Sequence, residues 1–267
     1  MDGRLTAPCC HSSLRYYVSM ATDASDKTTE TNRLAWNARR FDAWVSAFGS
    51  PEAEAAKIIA EPERVLRRLS PYLGEVAGKR ICNVQGSHGR VAVALARLGA
   101  EVFVIDFSEE NRRFALRLAA AAGVAIDYAL CDIMETGKLG LDHSFDTLVL
   151  ELGILHYHQD LDRFFTVMRQ LAVKGGMLLL NEFHPVQRKL FWTDGPHDYF
   201  QTDLVEADVP NPDGTGARLG RCLYRFWTMG DILTAAIKAG FTIARLDEHP
   251  DWTDPTIPGS FTLLARA

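Results

Sequence analysis

The apolar positions of this chain change period twice, and each change marks a different kind of element. Between Glu30 and Phe48 the residues Leu34, Trp36, Phe41, Trp44 and Phe48 recur at roughly helical spacing and Gly49 supplies a stop, which predicts one amphipathic helix over 30–48. Ser50 with Pro51 opens a second helix to about Ala60, and Pro62 a third to about Leu69, since proline at a first helical position gives up no needed hydrogen bond. After Gly78 short unbroken apolar runs alternate with helices, the pattern of βαβ units whose parallel strands are buried on both faces. Strands are expected at 80–84, 101–106, 126–130, 147–151 and 177–183, and helices at 90–98, 109–122 and 161–172.

The period then fails. From Pro185 to about Arg225 the chain is rich in Pro, Gly, Asp and aromatic residues, too long for a plain connection, and reads as a lid or substrate wall. Thr228 with Asp231 forms a capping-box start for a helix over 229–239, and strands at 241–246 and 259–265 close the chain. The organisation expected is a poorly packed leader (1–29, with Met20 a plausible alternative start), a helical cap (30–75) and an α/β core (76–267) with its insertion at about 185–225.

Composition narrows the function classes. Of 267 residues, 47% are hydrophobic and 24% charged, ordinary values for a globular chain. A net charge of −5 lacks the basic excess that would draw the protein to a phosphate backbone or an anionic membrane, so neither nucleic acid nor membrane is expected as a partner. Cys9, Cys10, Cys82, Cys131 and Cys222 are odd in number and show no C-x-x-C spacing, which suggests neither a disulfide framework nor a metal site. With no signal-like start and no apolar run of membrane-spanning length, a cytoplasmic location is expected.

The candidate chemistry lies at strand ends. Ile81–Gly89 leaves the first strand and enters a helix, where an open α/β sheet binds its ligand, and Gly86 and Gly89 permit close backbone approach. An ordinary tight turn would look similar, because the segment is not G-x-G-x-x-G. Asp106 ends the second strand, where nucleotide-binding α/β folds place an acid for ribose hydroxyls; its plainer role is a cap beside Ser108. Asp132, after Cys131 at the third strand's end, can accept the exocyclic amine of adenine. Three strand ends point at one nucleoside.

These landmarks resemble the class I S-adenosylmethionine-dependent methyltransferases over about Lys79 to Glu182, and more loosely to the C-terminus. Asn83 to Gly89 resembles that family's first motif, Asp-x-Gly-x-Gly-x-Gly, with departures at Asn83, Gln85 and Ser87. Asp146 to Glu151 matches its fourth-strand motif and Lys174-Gly175-Gly176 the turn before strand 5. The stretches Gly86-Ser-His-Gly89, Asp106-Phe-Ser-Glu-Glu-Asn111, Glu151-Leu-Gly-Ile-Leu-His-Tyr157, Phe183-His-Pro185 and Glu248-His-Pro250 resemble a bacterial small-molecule subgroup. The resemblance implies a Rossmann-like, seven-stranded, mostly parallel sheet with helices on both faces and an antiparallel last strand. It also implies S-adenosylmethionine as cofactor, held by Asn83, Gly86, Ser87, Gly89, Asp106, Phe107, Asn111, Cys131, Asp132, Ile133 and Glu151.

The implied reaction is methyl transfer to carbon, nitrogen or oxygen of a small metabolite. The cofactor carries the reactivity, so the protein's main task is positioning. If the nucleophile must lose a proton, Glu151 and His156 at strand 4 and His184 at strand 5 are the candidate bases, although Glu151 can instead orient the cofactor's amino group and the histidines can simply pack. Trp36, Phe41, His156, Tyr157, His184, Tyr199, Phe200 and Trp227 are candidates for the acceptor's wall, within a wider aromatic cluster that includes Phe191, Trp192, Tyr224 and Phe226. An NAD-dependent oxidoreductase is the rival enzyme, disfavoured because Gln85 and His88 hinder approach of a pyrophosphate. A non-catalytic S-adenosylmethionine-binding protein is the other rival, and an exposed apolar first helix would permit a homodimer.

Overall fold

Val104 and Ile105, like Ile81, Cys82 and Val84, have no exposed face, because their strands run through the middle of a sheet covered on both sides. In the computed structural model, which describes residues 24–209, 211–212 and 219–267, the strands are β1 (Arg80–Val84), β2 (Glu101–Asp106), β3 (Asp127–Leu130), β4 (Phe145–Glu151), β5 (Ala172–Phe183), β6 (Leu204–Asp208), β7 (Arg221–Arg225), β8 (Thr242–Pro250) and β9 (Pro258–Arg266). Seven of them form one sheet in the order β3-β2-β1-β4-β5-β9-β8. β1 to β5 are mutually parallel, and β9 runs antiparallel to both β5 and β8. This is the Rossmann-like, seven-stranded, mostly parallel architecture expected. The chain reverses its direction of winding between β1 and β4, and the crevice beyond their carboxyl ends is where such a sheet accepts a ligand.

Helices α1 (Ala24–Asn37), α2 (Arg40–Phe48), α3 (Pro51–Ala60), α4 (Pro62–Leu66) and α5 (Ser70–Leu73) precede the sheet, and α6 (Arg90–Arg97), α7 (Glu109–Ala121), α8 (Leu161–Leu171) and α9 (Met229–Lys238) are interleaved with it. Two apolar cores result. α2, α3, α6 and α7 pack on one face through Trp44, Ile58, Val93, Phe114 and Leu118. The other face carries α8 and α9 through Phe164, Phe165, Met168, Ile232 and Ala236. Local signals set the helix starts: Ser50 accepts from Ala53 N (3.2 Å), Ser108 from Asn111 N (3.2 Å), and Thr228 and Asp231 cap each other reciprocally.

Two expectations need correction. The single helix over 30–48 is broken at Arg39, which takes a left-handed conformation (φ 56°), and its first part begins upstream at Ala24. The break lets α1 pack on β7 while α2 turns onto α7, two surfaces that one straight rod could not both reach. Residues 24–29, expected to pack poorly, belong to α1, with Thr28 buried; 1–23, including Met20, Cys9 and Cys10, lie outside the described residues. The insertion also has structure: a π-helical turn (Gln187–Phe191) and the β6–β7 hairpin. Its apolar residues Val209, Cys222, Tyr224 and Phe226 join Ala35 of α1 in a third small core, and the Asn32 side chain pairs with both backbone groups of Leu223 (3.1 and 2.8 Å). Lys189, fully buried, ties the insertion together by donating to Gln201 O (2.6 Å) and Phe226 O (2.9 Å).

Candidate functional site

The turn after β1 keeps a glycine-like backbone without the glycines. Gln85 (φ 47°) and Ser87 (φ 52°) are both left-handed, as is Gly89 (φ 80°), at the three positions where the resembled motif has glycine. Each non-glycine residue there costs roughly 1 kcal/mol, so surrounding contacts must hold the shape. Gln85 Oε1 bonds His158 Nε2 (2.8 Å) and Ser87 N donates to Asp106 Oδ2 (3.0 Å). Two glycines are retained where no side chain fits: a Cβ on Gly86 would lie 2.6 Å from Asn83 Oδ1 and 2.8 Å from Val104 Cγ1, and one on Gly89 would lie 2.6 Å from Ala115 Cβ.

This turn floors a cleft of about 240 Å³ at the sheet's switch point, lined by Asn83, Gly86, Ser87, Asp106, Asn111 and Glu151 and walled by Trp36, Trp44, Phe107 and Tyr157. Asp106 also accepts from Ser108 N (2.8 Å) and Asn111 Nδ2 (3.4 Å). Burial pushes its carboxyl up to about 6 against the pull of those bonds, and burial pushes Glu151 up to about 7, with Arg90 and Arg68 drawing it back. Asn83 Nδ2 donates to Val149 O (3.3 Å), while its Oδ1 is buried without a partner. A ligand supplying positive charge and hydrogen-bond donors would satisfy all three groups. His88, stacked on Trp44 (4.0 Å) and Phe48 (5.0 Å), is driven well below the usual imidazole range by burial and by Arg90 and Arg40; it shapes the turn as a neutral ring.

Of the residues expected around the cofactor, Asn83, Gly86, Ser87, Asp106, Phe107, Asn111 and Glu151 meet at this cleft. Gly89 stands just behind it against α7. Cys131, Asp132 and Ile133 do not line it. Asp132 caps the following turn, accepting from Met134 N (2.9 Å) and from the Thr29 hydroxyl of α1, and Ile133 is buried in the apolar core. Thr29 of α1, whose start the sequence pattern misplaced, thus bonds the carboxyl at the end of β3 where an adenine contact was expected.

A second cavity, about 230 Å³, abuts the first and shares Trp36, Trp44, Leu152, Gly153 and Tyr157 with it. His156, Phe183, Trp192, Tyr224 and Phe226 add aromatic surface, and Arg40 and Arg188 add charge. The His156 ring lies 5.0 Å from Tyr224 and 4.4 Å from Tyr157, and burial with the nearby Arg188 keeps it well below the usual imidazole range, hence neutral. Other candidates for the acceptor's wall fall elsewhere. Phe41 packs on Phe114, Phe191 is exposed and Phe200 is 80% exposed, Tyr199 OH accepts from Met229 N (3.1 Å), and Trp227 Nε1 donates to Leu155 O and His158 O.

His184, the other candidate base, stands apart from both cavities. Its Nε2 meets Glu248 Oε1 (2.7 Å), its Nδ1 accepts from Val186 N (3.1 Å), and it lines neither cavity. Glu182, its neighbour on β5, is a positioning residue: its carboxylate accepts from Gly153 N (2.6 Å), Ile154 N (2.7 Å), Leu155 N (3.0 Å) and Phe183 N (2.7 Å). It thereby fixes the loop after β4 that separates the two cavities. Sequence reasoning also passed over Trp44, Arg40 and Arg188; a buried arginine carries no local signal, since arginine is usually exposed.

Comparison with known proteins agrees with this geometry. Residues 83–180 match the family model described as a methyltransferase domain. The ubiquinone biosynthesis O-methyltransferase of Sinorhizobium medicae is 31% identical over 103 residues, 39% of this chain and 40% of that protein, so the match spans well under half of the relative. Among solved structures, an S-adenosylmethionine-dependent methyltransferase from Mesorhizobium loti superposes with a TM-score of 0.59 at 24% identity, covering 75% of this chain and 96% of that one. Magnesium protoporphyrin IX methyltransferase from Synechocystis PCC 6803, with bound S-adenosylmethionine, gives 0.57 at 18% identity over 93% and 99%.

Proposed function

We propose that this chain, whose residues 83–180 match a methyltransferase domain, transfers a methyl group from S-adenosylmethionine to a small molecule held in the aromatic cavity. One observation carries the reading. The carboxylates Asp106 and Glu151 and Asn83, whose amide oxygen has no partner, line a cleft at the sheet's switch point, and that cleft shares a wall with a second, aromatic chamber. Asp106 would take the ribose hydroxyls, and Glu151 with Asn83 Oδ1 the amino group of the methionine portion. When bound, S-adenosylmethionine supplies an electrophilic sulfonium methyl.

The chain's own work is then to bring the acceptor close and in line, which in favourable cases lowers a barrier by roughly 7 kcal/mol or more. Trp36, Tyr157 and the loop after β4, anchored by Glu182, would set that approach and exclude water. His156 lines the acceptor chamber whereas Glu151 lines the cofactor cleft; His156, neutral at pH 7, is therefore the group placed to take a proton from an acceptor hydroxyl. The curated relatives, named as O-methyltransferases, support oxygen as the acceptor atom. A net charge of −5 and the absence of any membrane-spanning helix among the described residues support action on a small molecule in the cytoplasm rather than on nucleic acid. The exposed Leu34 of α1 is compatible with a homodimer.

Calorimetry with S-adenosylhomocysteine, with NADH as the competing arm, tests the cofactor. Micromolar binding of the first alone is expected; binding of NADH alone would replace the reading with an oxidoreductase. Release of S-adenosylhomocysteine across a panel of phenolic acceptors separates an enzyme from a cofactor-binding protein.

A further inference from the structure

The two adjoining cavities are lined by opposite charge. Asp106 and Glu151 face the first; the second has two arginines and no carboxylate among its described lining residues. Arg188 comes from the π-helical turn Gln187–Phe191, and its guanidinium lies 3.6 Å from the centre of the Phe183 ring and 4.9 Å from that of Trp192. Its Nε is buried with no hydrogen-bond partner, and it forms no ion pair among the described residues. Glu182 on β5, which does not line the chamber, has its oxygens committed to four backbone N–H groups. Across the chamber Arg40 is stacked between Trp36 (4.0 Å) and Trp44 (4.6 Å). Arg188, stacked on two rings with its Nε buried and unpartnered, has donors to offer a planar anion, the geometry that suits bidentate recognition of a carboxylate.

We propose that the methyl acceptor is a planar, ring-containing molecule bearing a carboxylate, which Arg188 binds while Trp36, Tyr157, Trp192 and Tyr224 hold the ring. This rests on the methyltransferase reading and narrows its substrate class. Burial chiefly holds His156 neutral and the Arg188 charge adds to it; an anion on Arg188 would offset that second, smaller contribution and so favour proton uptake by the base beside it. Charge complementarity then orders the two ligands, a cation in the acid cleft and an anion in the arginine chamber.

The test uses the full chain and begins with calorimetry of S-adenosylhomocysteine alone. In its presence, para-hydroxybenzoate and a hydroxynaphthoate are titrated against their neutral hydroxymethyl counterparts, read by fluorescence of Trp36, Trp44 and Trp192, which line the chamber. The expected result is at least tenfold tighter binding of the acids, lost in Arg188→Gln and partly retained in Arg188→Lys, with affinity for S-adenosylhomocysteine unchanged. Equal affinity for acid and alcohol, an acid preference that survives Arg188→Gln, or no binding of any ring compound overturns the proposal while leaving the cofactor site standing. Absence of S-adenosylhomocysteine binding by the wild type overturns the methyltransferase reading and this inference with it. Should Arg188→Gln fail to fold, the wild-type preference and its weakening in Arg188→Lys decide the matter alone.

Discussion

The two halves of the site are built on different principles. The cofactor cleft is made by strand-end turns: its main residues come from three short segments, 83–91, 106–111 and 151–154, each fixed by the strand before it and the helix or turn after it. The acceptor chamber collects residues from α1, α2, the loop after β4, the π-helical turn and β7, elements brought together only by packing. The floor of the cleft is therefore set by hydrogen bonds between neighbouring strand-end turns, whereas the chamber depends on α1 and the insertion packing over it.

Glu182 joins the two halves, so its loss gives the largest expected effect. Glu182→Gln replaces a carboxylate serving four backbone N–H groups with an amide that turns a donor towards some of them, and should cost about 2–4 kcal/mol of stability. Urea unfolding measures this; a change below about 0.5 kcal/mol would show that the loop does not depend on the anchor. Next is Asp106→Asn, which should weaken S-adenosylhomocysteine binding by roughly tenfold to a hundredfold through loss of a charged acceptor, while leaving acid-selective ring binding less affected. Calorimetry on both ligands would break the comparison if the two affinities fell together.

A smaller effect concerns pH. Burial holds Asp106 at about 6 and Glu151 at about 7, above the ordinary carboxyl range, so the folded chain keeps these protons to higher pH than the unfolded chain does. Their contribution to the stability of the ligand-free protein is full below the ordinary carboxyl value near 4 and is lost as pH rises through 6 and 7. The stability of the wild type relative to Glu151→Gln should accordingly decline between pH 5 and 8. Affinity for the cationic cofactor should rise over the same window, with protons released on binding. Calorimetry in buffers of different ionisation enthalpy reads that release, and a flat profile would remove Glu151 from the cofactor's amino group.

The smallest effect is at Ser87→Gly. Relief of the left-handed strain (φ 52°), roughly 1 kcal/mol, opposes the entropy cost of a glycine, about 0.5–1 kcal/mol. The melting temperature and the cofactor affinity should barely move, since Ser87 contributes its backbone N–H to Asp106.

The class of fold, the position of the cleft and most of its residues could be read in the sequence because they depend on neighbours in the chain. Apolar runs between 80 and 183 define strands buried on both faces, and Gly86, Asp106 and Glu151 sit at strand ends whose location follows directly. The departures Gln85 and Ser87 are legible too, but the contacts to His158 and Asp106 that hold the glycine-like backbone there come from other strand ends. The rest required the tertiary structure. Arg39 breaks a helix that the apolar pattern draws as continuous, because two separate surfaces compete for it. Thr29 of α1 bonds Asp132, which the strand-end rule assigns to the adenine. His184 and His156 follow successive strands alike, yet one is closed by a glutamate and a backbone amide while the other faces the chamber. A residue's period and neighbours determine its element; which cavity it faces is decided by how distant elements pack, and that information is spread over the whole chain.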